Sequence, residues 1–219
     1  MRLRRFMSLA ATLLLTCLAS ALQAQTAGSA AGGDDLVIAA SGRTEAVIVV
    51  SPSAGPWEKR AAADLAKYIG LMSGATPALA DTPDAIAAAQ KAATPVFFVG
   101  AEALRAESSL MGRLDRVAKK EPVVRADAIL AQRKGNRVFL AGTNDESHYF
   151  AVAHLLQAWG CRWYLPTEFG ECIPTHTALK VGRLDHAYAP PFEVRHYWLS
   201  WNASATVAEE FRRRNFMST

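Results

Sequence analysis

The sequence predicts an α+β fold, in which a mixed β-sheet packs against helices in the order β-α-β-α-β-β-α-β. Two observations lead to this prediction. Short β-branched and aromatic runs alternate with segments whose apolar residues recur every three or four positions, the spacing of an amphipathic helix. The 219 residues are 51% hydrophobic and 20% charged, which supplies a core for one ordinary domain and excludes a disordered or collagen-like chain.

The first half of the chain supplies two strands and two helices. Residues 46–50 form a short β-branched run that predicts a buried strand. A helix is predicted from Pro56, because proline loses no hydrogen bond at a helix's first position, to Gly74, because glycine suits a helix stop. Pro83–Lys91 predicts a weaker helix within a polar stretch, and Pro95–Gly100 predicts the second buried strand.

A helix and a hairpin come next. Ser108–Lys119 predicts a surface helix with its leucines facing inward. Asp127–Leu140 predicts a β-hairpin, because apolar and polar residues alternate on both sides of a turn at Gly135.

The last helix before residue 160 has a marked start and end. Thr143 and Glu146 have the spacing of a capping box, in which each side chain satisfies a free N–H group at a helix start. The apolar stripe that follows ends at Gly160, which predicts the helix stop. Cys161–Tyr164 then predicts a short strand that completes the sheet.

The first 24 residues have the pattern of a secretory signal peptide. Arginines precede an apolar run over 6–18 that is too short to span a bilayer, and small residues follow up to Ala24. This pattern predicts export to the periplasm or outside the cell. Lipid anchoring at Cys17 is the minor alternative, because Thr16 is larger than the residue usual at that position. Residues 25–35 are too polar and small to bury much surface and predict a flexible linker.

Export also changes the charge balance. Cleavage after Ala24 removes three of the 24 Lys and Arg residues, against 20 Asp and Glu, so the net charge falls from +4 to near +1. The basic character of the whole chain therefore does not indicate nucleic-acid binding. No integral membrane segment is predicted once the signal peptide is removed.

Two cysteines, Cys161 and Cys172, remain after cleavage, and an oxidising compartment permits a disulfide between them. A bridge that closes this short loop would contribute about 3 kcal/mol in the loop-entropy account. Two buried free thiols are the equal alternative, and the sequence leaves both open.

No signature of catalysis or cofactor binding is present. The sequence has no dinucleotide-binding glycine motif, no phosphate-binding loop and no serine-hydrolase elbow. His148 and His154 are six residues apart and cannot share one helix face, so no metal site is predicted. Asp145 and Glu146 fit a structural role in the first turn of a helix. No catalytic residue, metal ligand or cofactor is therefore assigned.

Two segments carry a family resemblance. Residues 149–166 run from a helix into Gly160-Cys161-Arg162-Trp163-Tyr164 and then Pro166, and residues 58–74 have the pattern of a first helix. They resemble the non-catalytic N-terminal domain, called zincin-like although it binds no zinc, of bacterial alpha-glucuronidase-like and family 20 hexosaminidase-like glycoside hydrolases. The resemblance runs from about Leu36 to Thr219. It implies an accessory α+β domain over residues 36–189.

The same resemblance implies that a catalytic (β/α)8 barrel starts at residue 190. The family introduces its first barrel strand with Pro-x-Phe-x-x-Arg, and residues 190–195 have that spacing. Residues 190–219 are therefore expected to be the first βα unit of an incomplete barrel. Arg195 would then point toward the sugar, and Trp198 and Trp201 would present aromatic faces to a pyranose ring. His196 stands where hexosaminidases usually have glycine, which is a departure from that branch.

These observations predict an N-terminal fragment of an exported glycoside-hydrolase-like protein that acts on carbohydrate. The domain would support the missing barrel, and the fragment itself would be inactive because the family's catalytic carboxylates lie on later barrel strands. A self-sufficient secreted module that binds carbohydrate or another partner without catalysis is the main alternative. A small hydrolase using Glu168 and Glu171 is the third, and it requires the two carboxyl groups to lie about 6.5–9.5 Å apart.

Overall fold

A six-stranded mixed sheet lies at the centre of the computed structural model, which describes residues 35–197 and 204–218. The strands in these residues are β1 (Leu36–Ala40), β2 (Val47–Val49), β3 (Ala78–Ala80), β4 (Val96–Val99), β5 (Ile129–Lys134), β6 (Arg137–Gly142), β7 (Arg162–Trp163), β8 (Glu171–Cys172), β9 (Ala178–Val181) and β10 (Asp185–Tyr188). The α-helices are α1 (Pro56–Ser73), α2 (Pro83–Lys91), α3 (Ala101–Ala106), α4 (Ser109–Val117), α5 (Asp145–Ala158) and α6 (Ala205–Arg214).

Several predicted features lie outside the described residues. They are the signal peptide over 1–24, the linker except for its last residue, and two of the predicted sugar-binding residues, Trp198 and Trp201.

The central sheet has the strand order β10-β5-β6-β4-β2-β3. Strands β6, β4, β2 and β3 run parallel to one another, whereas β5 and β10 are antiparallel to their neighbours. All four residues of β4 are buried, as expected of a parallel strand that is covered on both faces. Strands β5 and β6 form the predicted hairpin, and Gly135 takes a φ of 57° in its turn, where a side chain would be strained.

Helices cover both faces of this sheet. On one face α1 packs against α5, and their apolar residues share a core with the separate β1–β9 ribbon. On the other face α2, α3 and α4 cover Val49, Phe98 and Leu130. The described residues from Leu36 onward belong to one compact unit, in which α6 packs against α5.

The structure confirms an α+β fold with a mixed sheet packed against helices, and it has more strands than the sequence predicts. The predicted helix begins at Pro56 and ends before Gly74, whose φ is 75°. Strands β1, β3, β8, β9 and β10 are not predicted, and β7, which was expected to complete the central sheet, pairs with β8 in a separate two-stranded sheet. Strands β1, β3, β9 and β10 have three to five residues each, and pairing with distant strands rather than a long β-branched run stabilises them.

The predicted capping box is wrong by one residue. Asn144 is the N-cap of α5, and its side chain accepts a hydrogen bond from the backbone N–H of Ser147 at 2.9 Å. The hydroxyl of Thr143 instead donates to the carbonyl of Ala126 and accepts from the N–H of Ala128. Glu146 is paired with arginines, so tertiary contacts override the local pattern.

Burial of His148 makes the stability of the fold depend on pH. The backbone N–H of Gly142 donates to Nδ1 of His148 at 2.9 Å, so this nitrogen carries no proton in the fold. Burial lowers the pKa of His148 to about 4, although Asp145 lies nearby. The unfolded chain takes up a proton near pH 6.5, so the free energy of unfolding is expected to fall by roughly 2–3 kcal/mol between about pH 7 and pH 4. Urea unfolding across this range measures the loss.

The control for this prediction is His148→Gln, which retains a hydrogen-bond acceptor and cannot titrate. Its stability is expected to change less with pH than that of the wild type over the same interval. The same pH slope in both proteins would contradict the role of His148.

Cys161 and Cys172 are both free thiols in the structure, and Cys161 alone of the two is buried. The sulfur of Cys161 lies 3.7 Å from that of Met72, and burial raises the pKa of this thiol to about 12. Cys172 is exposed. Iodoacetamide without reductant is expected to modify Cys172 in the native protein and both thiols in urea, as read by peptide mass mapping. A bridged pair would be modified in neither state.

Candidate functional site

Arg195 is the one predicted sugar-binding residue that the structure describes, and its guanidinium group is bound within the protein. Its Nη2 donates to Oδ2 of Asp127 at 2.7 Å, and its Nε donates to the carbonyl of Phe216 at 2.7 Å. Its Nη1 donates to the carbonyls of Phe192 and Glu193 at 2.8 and 3.2 Å. Arg195 therefore ties its own segment to the sheet and to the turn after α6.

Asp127, the buried carboxylate that accepts this hydrogen bond from Arg195, lies just before β5. Its Oδ1 accepts hydrogen bonds from Arg125 at 2.8 Å, Asn144 at 2.9 Å and Ser147 at 3.0 Å. Burial opposes ionisation of this carboxyl, but the hydrogen bonds from Arg125, Asn144 and Arg195 outweigh it and lower its pKa. Asp127 is thus an ionised carboxylate whose oxygens are both bound to protein donors.

Glu193 attaches the same segment at a second point. Its carboxylate accepts backbone N–H bonds from Val123, Val124 and Arg125 at 3.0, 2.6 and 3.1 Å. It also pairs with Lys119, and these contacts lower its pKa to about 2. Residues 192–195 are therefore held on two sides.

A cavity of about 380 Å³ lies beside the Asp127–Arg195 pair. Ile129, Phe150 and Phe216 line it on its apolar side. The remaining wall includes the polar side chains of His154, Gln157, His186 and Tyr188. This volume is within the range of small-molecule sites.

Two histidines stack face to face in the wall of this cavity. The ring of His154, on α5, lies 4.2 Å from the ring of His186, on β10, with an angle of 7° between the planes. The ring of Tyr188 lies 6.1 Å beyond that of His186. Burial and the neighbouring His186 both lower the pKa of His154.

The basic end of α6 is largely buried. The side chain of Arg214 is 8% exposed and contacts Asp64 at 3.2 Å and Glu171 at 3.3 Å. The hydroxyl of Tyr149 donates to the same carboxylate of Asp64. Arg214 therefore joins α6 to α1 and β8.

Arg213 provides a parallel attachment to α5. Its side chain is 2% exposed and contacts Glu146 at 2.7 Å and Glu209 at 3.1 Å. Its guanidinium also lies 4.8 Å from the ring of Trp57, a cation–π distance. Two successive arginines of one helix thus bind two different helices of the domain.

The carboxylates that a hydrolase could use are bound to protein donors or lie exposed in a turn. Glu171 accepts from the hydroxyl of Tyr68 at 2.7 Å and from Arg214, whereas Glu168 is exposed in a 3-10 turn. Asp145 accepts from the backbone N–H groups of Trp57 and Glu58 at 3.1 and 2.9 Å. It thereby fills the anion position at the start of α1.

Comparisons with known proteins assign no family to this chain. No protein-family model matches it, and no curated protein matches it. Within residues 35–197 and 204–218, no three His, Cys, Asp or Glu side chains are grouped so that they could hold a metal ion. No helix in that part of the chain has both the length and the apolar character to cross a bilayer.

Sequence motifs single out Arg195 but not Asp127, His186 or Tyr188. Asp127 stands at the edge of the predicted hairpin and is 68 residues from its partner Arg195. The alternation of Asp185 to Tyr188, after Gly182, is a weak strand signal that could have placed His186 on a sheet edge.

Proposed function

We propose that this chain is the non-catalytic accessory domain of an exported glycoside-hydrolase-like protein, and that it holds the start of the adjoining barrel-type domain. The observation that carries the proposal is the Arg195–Asp127 pair, which fixes the segment entering that domain to the central sheet. The family resemblance of residues 149–166 and 190–195 supplies the carbohydrate context.

The ion pairs that join Arg195 and α6 to the α+β domain are strong because their charges are largely buried. Arg195 binds Asp127, Arg213 binds Glu146, and Arg214 binds Asp64. Breaking a buried ion pair by removing one partner leaves an uncompensated charge and costs several kcal/mol. Residues 190–197 and 204–218 would therefore move with the α+β domain, as a support for a following barrel requires.

Limited proteolysis tests this support role. In the wild-type chain, Tyr197 packs on Phe211 and Phe216 packs on Phe150, so chymotrypsin is expected to cleave slowly after Tyr197 and Phe216. Arg195→Ala, which leaves these sites in place, is expected to make them cleavable while the rest of the domain stays intact. Arg116→Ala, at an exposed position on α4, is the matched control and should behave like wild type. Equally fast cleavage of 190–218 in wild type and Arg195→Ala would contradict the proposal.

An activity assay tests the non-catalytic part of the proposal. The purified chain is expected to release no product from aryl glycosides or aryl glucuronides, because the carboxylates of Asp64, Asp127 and Glu171 are bound to protein donors. Hydrolysis that persists in an independently purified preparation would contradict it.

A binding module without catalysis is the second candidate, and the cavity beside Arg195 favours it. Tyr188 is 44% exposed at the cavity wall and presents an aromatic face of the kind that binds sugar rings. Glycan-array binding by the wild type that is lost in Tyr188→Ala would favour this candidate over a purely supporting role.

A further inference from the structure

The cavity between α5 and β10 has features that the support role does not need. Its volume is about 380 Å³, which suits a ligand with a single ring. The apolar part of its wall comes from Ile129, Phe150 and Phe216, so a flat apolar group would displace water there favourably.

The polar part of the wall contains two imidazole rings without hydrogen-bond partners among the described residues. His154 and His186 come from different elements and contact each other only through their stacked faces, 4.2 Å apart. Both side chains are half-buried and line the cavity. Half-buried nitrogen atoms that no protein group satisfies are available to a ligand.

The fixed charges around the histidines are paired within the protein. Asp127 and Arg195 line the same cavity and form an ion pair at 2.7 Å, and Arg125 bridges Asp127 and Glu146 at 2.8 and 2.6 Å. Asp185, next to His186 on β10, pairs with Arg113 of α4 at 2.6 Å. Protonation of the imidazole pair therefore adds positive charge to the cavity.

A proton on His154 is disfavoured while the cavity holds no anion. Half-burial removes part of the water that would solvate the charge, and the ring of His186 is stacked against that of His154. A bound anion would offset both costs. The cavity therefore favours an anionic ligand over a neutral or cationic one, and binding of the anion favours uptake of a proton from solvent onto an imidazole ring.

We propose that this cavity binds a small organic carboxylate whose flat apolar part lies against Phe150 and Phe216 and whose carboxylate accepts hydrogen bonds from His154 and His186. Binding takes up a proton from solvent onto the imidazole pair. Affinity consequently rises as the pH falls from about 7.5 to about 6. The proposal is independent of the support role, which concerns the attachment of residues 190–218.

Titration of the full chain with benzoate, followed by NMR of the histidine ring protons, tests the proposal. Benzamide is the matched ligand control, because it has nearly the same shape and no charge. Benzoate is expected to shift the signals of His154 and His186 and to bind roughly fivefold tighter at pH 6 than at pH 7.5, whereas benzamide binds weakly at both. Equal affinity for the two ligands, or no shift at either histidine, would overturn the proposal.

His186→Gln provides the variant test. His186 lies on an edge strand and is half-buried, so the fold is expected to tolerate the change, and benzoate affinity is expected to fall about fivefold. His176→Gln is the control, because His176 lies outside the cavity lining and its Nε2 is 3.3 Å from the carbonyl of Trp159. Unchanged benzoate affinity in His186→Gln would overturn the assignment. If that variant unfolds, His154→Gln takes its place with the same expectation.

Discussion

Arg214→Met is expected to lower the free energy of unfolding by about 3 kcal/mol. The side chain of Asp64 is 2% exposed, and Arg214 is one of its two cationic partners. The other, Arg60, remains at 2.9 Å but is 38% exposed, so it compensates the buried charge only in part. This places the loss at the low end of the range for breaking a buried ion pair. Urea unfolding monitored by circular dichroism measures it.

Two further variants separate the ion pair from general packing. Arg212→Met changes the neighbouring arginine, whose partner Glu209 is 30% exposed and also pairs with Arg213, and is expected to cost less than Arg214→Met because Glu209 keeps water and a second cation. Combining Arg214→Met with Asp64→Leu is expected to recover part of the loss, because no buried charge then lacks a partner. A loss in Arg214→Met no larger than that in Arg212→Met would show that α6 is not held by this pair.

Asp127→Ala is expected to cost about 3–5 kcal/mol, because it leaves Arg125 and Arg195 without their shared carboxylate. It should also release residues 192–195 to protease. The pKa of Asp127 lies below its usual value, so its contribution is fully present above about pH 4 and is lost as the pH falls through the lowered pKa. Urea unfolding of the wild type and the variant at pH 7 measures the stability loss, and the same comparison at acid pH measures its pH dependence.

Asp115→Ala is the matched control for this variant. Asp115 lies exposed on α4, so its replacement is expected to change stability by less than about 0.5 kcal/mol. If Asp127→Ala were as stable as Asp115→Ala, the carboxylate of Asp127 would not hold the segment.

Sequence patterns predicted the helices and turns whose ends are set by proline and glycine. Pro56 and Gly74 bound α1 as expected, and the hairpin turns at Gly135. The short strands β1 and β9 could not be predicted in the same way, because each forms only by pairing with the other across more than 130 residues of chain. The class of fold was therefore predictable, whereas the full strand order was not.

The candidate site was predictable only in part, for the same reason. A motif singled out Arg195, but its carboxylate partner at Asp127 is set by the tertiary fold. In α6, glutamates are followed by three arginines, and this order alone fits any helix. The tertiary fold brings Arg214 to Asp64, 150 residues away. Sequence patterns do not show which member of such a run is buried.

Amide hydrogen exchange in α6, compared with exchange in α5, tests the central claim most directly. The structure attaches α6 through Arg213 and Arg214, and the backbone N–H of Ser218 donates to the carbonyl of Arg195 at 2.9 Å. Amides of Ala205–Arg214 are therefore expected to be protected to nearly the same degree as those of α5 in the wild type, and to lose that protection in Arg214→Met. Rapid exchange throughout α6 of the wild type, with α5 protected, would contradict the claim that the domain holds residues 190–218.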